Sequence, residues 1–188
     1  INPDIIATAK GFGAGYVPLG ALTAKQYIVD GVLDNGGFQH GYTYAGNPMA
    51  CAAGLAVIEE IYQQNLMENT LKVGHELLKG LAVLMDKFPF IGDVRGKGLL
   101  TAFELVSDRK TMMPLPASLN AYHQLVEIAY KRGLIIYSRR TRDGIEGDHF
   151  LVCPPMITNS DQIADILNIL EDSLLEFARN FKLPIINN

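Results

Sequence analysis

Two helical patterns follow one another with no strand-like segment between them, and they divide the chain. In the first, Ala50, Ala53, Gly54, Val57, Ile58 and Ile61 recur at helical spacing. Asn47 is a favourable N-cap and Pro48 suits the first helical position. In the second, Leu66, Leu71, Val73, Leu77, Leu78, Leu81, Leu84 and Met85 keep the same period, and the pattern stops before Phe88-Pro89. Two long helices in succession read as a passage from one domain to the next. The first half of the leading helix is almost all small residues, which predicts a close approach by another element.

Before the helices, residues 4–9 form a short apolar run ending at Lys10, read as a buried strand. Gly11, Gly13 and Gly15 then need a loop with backbone freedom. Residues 17–23 look like a second strand, and residues 31–41, rich in Gly, Asp and Asn, read as loop. Two strands are a poor sheet to stand alone. The first half is therefore expected to be the end of a larger α/β domain, and a chain opening at Ile1 rather than Met is read as the C-terminal portion of a longer protein.

Beyond residue 91 the pattern is strand, glycine break, strand over 94–106, then a loop over 107–117 holding Pro114 and Pro116. Leu119, Tyr122, Val126 and Ala129 mark a helix ended by Gly133. Residues 134–137 read as a strand, 138–148 as a charged loop, and 150–152 as another strand. A final helix is expected to open at Thr158, with Asp161 at capping-box spacing. The second half is thus a compact α/β unit of three or four strands and two helices.

Composition narrows the function classes. Of 188 residues, 48% are hydrophobic and 19% charged, enough for a real core and against wholesale disorder. No apolar run is long enough to span a membrane. A formal net charge of −4 argues against a nucleic-acid-binding domain. Cys51 and Cys153 lie too far apart for a cysteine-rich metal site, and each is expected to behave as a small buried hydrophobe. No leader is visible, so a cytoplasmic location is the default expectation.

Several motifs are excluded by spacing. A GxGxxG fingerprint needs glycine at 16, where Tyr16 stands, and no helix pattern follows it. GxxxxGK[ST], HExxH and GxSxG are all absent, and no metal site is expected. His75 and His123 suit solvated or capping positions on helices.

Lys10 is the unusual residue. It stands at the carboxyl end of an apolar strand, where α/β proteins place their sites. Partial burial there would lower its pKa and leave a nucleophilic amine, as a Schiff-base lysine requires. A solvated lysine capping the strand is the alternative. A second candidate is the loop through Tyr42, Thr43 and Tyr44 to Asn47, where a hydroxyl just before a helix N-terminus can hold a phosphate; an ordinary loop with a capping Asn47 is its alternative.

Taken together, residues 6–22 and 40–56 closely resemble the cofactor-lysine segment and the phosphate-contacting loop of class III aminotransferases. Residues 94–100 and 154–158 look like that family's C-terminal landmarks. The resemblance implies an α/β chain of the pyridoxal-phosphate (PLP)-dependent transferase fold type I. Residues 1–66 would be the C-terminal part of the large PLP-binding domain, 67–90 an interdomain helix, and 91–188 the small C-terminal α/β domain. It implies PLP as cofactor, Lys10 as the Schiff-base lysine, Thr43 donating to the phosphate with the Tyr42 backbone beside it, and Tyr42 on the substrate-pocket wall. The substrates would be an amine or omega-amino acid and a 2-oxo acid such as pyruvate. The enzyme would be a homodimer whose phosphate loop reaches the neighbouring subunit's site.

Many amino-acid-specific members carry an arginine three residues before the Pro-Pro pair, where this chain has Leu151. That departure points toward an omega-amine or omega-amino-acid donor; Arg139, Arg140 or Arg142 are candidate substitutes for the missing cation, with a solvated charge run as the alternative. The carboxylate that partners the pyridine nitrogen lies upstream of Lys10 in the family, so the isolated chain is expected to be inactive. Fold-type I aminomutases, racemases and decarboxylases use the same lysine, and a non-catalytic association fragment is a further reading.

Overall fold

The computed structural model describes residues 2–141 and 146–186, and its compact units are residues 1–66 and 67–188. In the first unit, β1 (Ile5–Thr8) and β2 (Ala21–Ala24) pair antiparallel, with Ile5 opposite Ala24 and Thr8 opposite Ala21. The Lys25 ammonium lies 2.7 Å from an Asp4 carboxylate oxygen at the open end of this hairpin. Helix α1 (Gln26–Asp34) occupies part of the segment expected to be loop. Ile28, Val29 and Val32 recur at helical spacing there and are half-buried. Helix α2 (Pro48–Gln63) opens as expected, with Pro48 at its first position and the Asn47 side chain accepting from the Ala50 amide at 3.1 Å.

The second unit holds the core. Among the described residues every buried large apolar side chain except Leu66 belongs to it. Helix α3 (Leu66–Lys87) turns Val73, Leu77, Leu81 and Leu84 into that core. Arg109 ties the end of this helix to the segment that follows, its guanidinium donating to the Met85, Phe88 and Ile91 carbonyl oxygens. Strands β3 (Ile91–Lys97) and β4 (Leu100–Asp108) form the hairpin expected around the glycine break, with Gly98 at φ 57° in its turn. A two-residue strand β5 (Met113–Pro114) pairs with β4 inside the segment read as loop. Helix α4 (Ala121–Lys131) follows a short 3-10 turn.

The sheet order is β3-β4-β7-β6, and its consecutive pairs are all antiparallel. Here two expectations fail. Residues 134–136 are not strand, although Leu134 and Ile136 are buried. The segment read as a charged loop instead contains most of β6 (Tyr137–Thr141) and the first residues of β7 (Glu146–Val152). The charged side chains of β6 alternate between an exposed and a half-buried face, and the inner charge has a partner, described below. Arg142, one of the three candidate cations, lies outside the described residues.

Helix α5 (Ser160–Phe181) closes the unit, burying Ile163, Leu170, Leu174 and Phe177. Its cap is not the expected Thr158–Asp161 pair. Asn159 accepts from the Gln162 amide at 2.9 Å while the Gln162 side chain accepts from the Asn159 amide at 3.0 Å, a capping box displaced by one residue. Thr158 is buried, and its carbonyl accepts from the Asn69 side chain at 2.9 Å. Among the described residues no helix is long and apolar enough to cross a membrane.

Candidate functional site

Strand β1 ends at Thr8, and the chain leaves it through an extended Ala9. Lys10 then takes φ 57°, a left-handed conformation that costs a non-glycine residue about 1–2 kcal/mol. It heads a single 3-10 turn, Lys10–Gly13, closed by the Phe12 amide donating to Ala9 and the Ala14 amide to Gly11. Ala14 and Gly15 continue at positive φ. Such strain clusters at functional positions, because the fold must hold the residue against its own preference. Lys10 itself is exposed in this chain, so the partial burial expected for it is not found.

Behind the turn, packing is tight. Gly13 is buried, and a Cβ there would lie 3.3 Å from Val17 Cγ2. A Cβ on Gly54 of α2 would overlap the Leu19 side chain. The run of small residues opening α2 therefore does admit a close neighbour, Leu19. Cys51, Ala52 and Ala56 on the same helix stay exposed.

The loop before α2 turns twice, with the Ala45 amide donating to Tyr42 at 3.0 Å and the Asn47 amide to Tyr44 at 3.1 Å. The His40 ring meets the Tyr42 ring edge-on at 4.8 Å between centroids. Tyr42, Tyr44, Met49 and Cys51 face Val17–Gly20 across a concavity of about 640 Å³. Tyr42 lines it, whereas Lys10 and Thr43 do not. Thr43 presents its hydroxyl at an exposed position. The lining by residues 17–20 was not foreseen; β2 begins only at Ala21, and Pro18 near the head of the strand-like run was the available signal.

Neither cysteine behaves as the buried hydrophobe expected. Both are exposed free thiols. Cys51 stands on the uncovered side of α2, and Cys153 follows the last residue of β7, with its sulfur 3.8 Å from the Thr101 carbonyl oxygen. His75 and His123 are exposed on their helices, as expected.

The second unit carries its polar groups on its sheet. Arg140 points inward and pairs with Asp148, with Nε donating to Oδ1 at 3.1 Å. Asp148 is 1% exposed, and the same oxygen accepts from the Tyr122 amide at 3.3 Å in the first turn of α4. That contact caps a helix whose own N-cap, Asn120, contributes no side-chain bond. The guanidinium also lies over the Tyr122 ring at 4.7 Å. Arg140 is thus committed to the fold. On the opposite face Arg95 bonds both Asp93 and Glu104, and these two carboxylates, Asp93 foremost, hold its pKa above the ordinary arginine value.

Comparison with known proteins agrees on one family. The model of the family described as Aminotransferase class-III matches residues 1–174. An uncharacterized aminotransferase of Bacillus subtilis, YodT, is 32% identical over 96% of this chain and 41% of its own length. The taurine–pyruvate aminotransferase of Bilophila wadsworthia is 35% identical, over 97% of this chain and 41% of its own. Among solved structures, an amine transaminase from an uncultivated Pseudomonas species, in its PLP-bound form, superposes with TM-score 0.82 at 38% identity, covering 94% of this chain and 38% of that one. The chain spans about a third to two-fifths of the length of the curated relatives it matches.

Proposed function

The chain belongs to the class-III aminotransferases, and from that membership we propose that the protein moves an amino group from an amine or omega-amino acid to a 2-oxo acid such as pyruvate. Its fold is that of the fold-type I transaminases, and its cofactor is pyridoxal phosphate. The observation that carries the reading is Lys10, a primary amine held on a strained left-handed turn at the end of β1, inside the matched region.

The residues present fit the cofactor by their chemistry. Lys10 offers an amine for its carbonyl carbon, and Thr43 an exposed hydroxyl for its phosphate, with Tyr42 beside it. Bound there, PLP supplies the carbonyl that accepts the donor's nitrogen and the ring that withdraws electrons from the reacting carbon. Lys10 Nζ acts as the base that takes the proton from the substrate carbon bearing nitrogen and returns it to the cofactor side. The left-handed backbone limits the directions in which that amine can reach. Thr43 would hold the phosphate of the cofactor bound in the neighbouring subunit's site. In this reading the loop carrying Thr43 serves the neighbouring subunit of a homodimer. Leu151, where amino-acid-specific relatives place an arginine, favours an omega-amine donor, and a relative named for taurine and pyruvate supports that pairing.

The test follows nitrogen. The full-length protein, given a ¹⁵N-labelled amine and pyruvate, should form labelled alanine, and Lys10→Ala should abolish it while leaving the fold intact by circular dichroism. Label recovered as ammonia, or retained on a rearranged donor, refutes amino transfer.

A further inference from the structure

We propose that Asn35-Gly36 is a self-modifying site, at which the Asn35 side-chain amide is converted through a cyclic imide to aspartate and isoaspartate, with solvent as the only co-reactant.

Asn35 is the one asparagine of the sequence that is followed by glycine. With no Cβ on Gly36, nothing shields its amide nitrogen from the neighbouring side-chain carbon. The pair closes the C-terminal end of α1. Gly36 takes φ 101°, the Gly37 amide donates to the Val32 carbonyl at 2.9 Å, and the Gly36 amide reaches the Leu33 carbonyl at 3.4 Å. This is a helix end capped by a left-handed glycine. The nitrogen that must attack therefore makes the longer of the cap's two glycine amide bonds. Asn35 and Gly36 are both exposed, and a Cβ built on Gly36 would meet nothing nearer than Gln39 Nε2 at 3.7 Å, so water and hydroxide have access.

The closed cap is not the reacting geometry. Asn35 sits at ψ 32°, and its Nδ2 donates back along the helix to the Gly31 carbonyl at 2.8 Å. The ring closes when the last turn frays and the side chain swings toward the Gly36 nitrogen. Helix α1 is built to fray. It is nine residues long, none of them is fully buried, and Lys25 gives its start no side-chain cap. Asp34 stands in its last turn with no basic residue there, a carboxylate at the negative end of the helix dipole. Such ends open at little cost.

In the open form the Gly36 nitrogen gives its proton to hydroxide and bonds to Asn35 Cγ. The Cγ–Nδ2 bond breaks, and Nδ2 takes a proton from water and leaves as ammonia. Water then opens the five-membered imide. Attack at Cγ breaks the new bond and leaves aspartate; attack at the main-chain carbonyl breaks the original peptide bond and leaves isoaspartate, with the chain running through the former side chain. No oxidant or reductant is needed. Either product loses the donor to Gly31 and sets a second carboxylate beside Asp34. Other asparagines lack the combination. Asn47 precedes Pro48, which has no N–H to give up. The Asn159 side-chain oxygen is held by the Gln162 amide, and Asn69 is tied to the Met156 and Thr158 carbonyls.

The test is peptide mapping of the full-length protein by mass spectrometry, with fragmentation that separates the two acids, after incubation at mildly alkaline pH in buffer and in urea. Asn35 should yield both aspartate and isoaspartate in the folded protein, at a rate that rises with hydroxide and stays within about tenfold of the rate in urea. Asn47 and Asn159 should keep their amides over the same period. Protection of Asn35 by about a hundredfold or more in the folded protein overturns the proposal, because the end of α1 then does not open freely. Aspartate without isoaspartate also overturns it, since direct hydrolysis gives only the first. Gly36→Ala, compared in urea where strain at the cap plays no part, should slow the conversion; an unchanged rate overturns attack by the Gly36 nitrogen.

Discussion

Two glycines on the same helix should respond oppositely to the same substitution. Gly74 and Gly80 both lie in α3, and a Cβ added at either would overlap a neighbouring heavy atom. At Gly74 the obstacle is the backbone of Gly98, in the β3–β4 turn. At Gly80 it is the end of the Leu167 side chain. Alanine in a helix interior is worth about 1 kcal/mol over glycine, whereas overfilling a packed contact costs about 1–3 kcal/mol. Leu167 is half-buried and can change rotamer, so Gly80→Ala should be near neutral or gain up to about 1 kcal/mol. The Gly98 turn has no such freedom. It sits at φ 57° and the obstacle is backbone, so it gives way only if the whole β3–β4 turn shifts. Gly74→Ala should therefore sit at the upper end of the overpacking range, a net loss of about 1–2 kcal/mol after the helical gain. For a chain of this size that is about 2–8 °C in Tm. Urea unfolding followed by far-ultraviolet circular dichroism measures both variants, and unchanged m-values would license comparing their midpoints. The reasoning fails if the two substitutions have the same effect, or if Gly74→Ala is the more stable.

Other consequences concern the second unit's ends and its buried charge. Lys182 caps α5 at φ 54°, so Lys182→Gly should stabilise by about 1 kcal/mol, seen as a raised urea midpoint. Arg140→Met leaves Asp148 buried without its cation and should cost about 3–5 kcal/mol; adding Asp148→Leu should recover most of that, the unmet Tyr122 amide accounting for the remainder, as a double-mutant cycle would measure.

The parts legible in the sequence are those whose signal is local. Asn47 and Pro48 sit side by side and open α2 where they stand, and the period of α3 runs unbroken to the residue before Phe88. The strand–glycine–strand hairpin follows from Gly96 and Gly98 alone. What escaped depends on distant partners. Thr158 is an acceptable N-cap by type, yet its carbonyl is claimed by Asn69, 89 positions earlier, and Asn159 takes the cap instead. Helix α1 has a weak start, with no side-chain cap at Lys25, and only its apolar spacing betrays it. At the site, Lys10 was marked by its place after an apolar strand; its left-handed backbone belongs to the turn geometry and has no signature in residue type, since glycine would be the residue expected there.

Strand β6 shows why charge misleads more than apolarity does. A hydrophobic pattern reports burial because no partner is needed for the gain. A charged residue is buried only when its counter-ion is buried with it, and here the two partners stand eight positions apart in sequence. Arg140 and Asp148 form such a pair across the β6–β7 register, so neither residue alone signals a strand. Once they are paired, the alternation of the backbone leaves Arg139 no choice of face. An inward Arg140 places Arg139 outward beside Tyr137, and the buried pair also ties β7 to the first turn of α4 through the Tyr122 amide. The same buried ion pair that disguised the strand is what aims its neighbour, so an exposed arginine and one needed by the fold stand side by side.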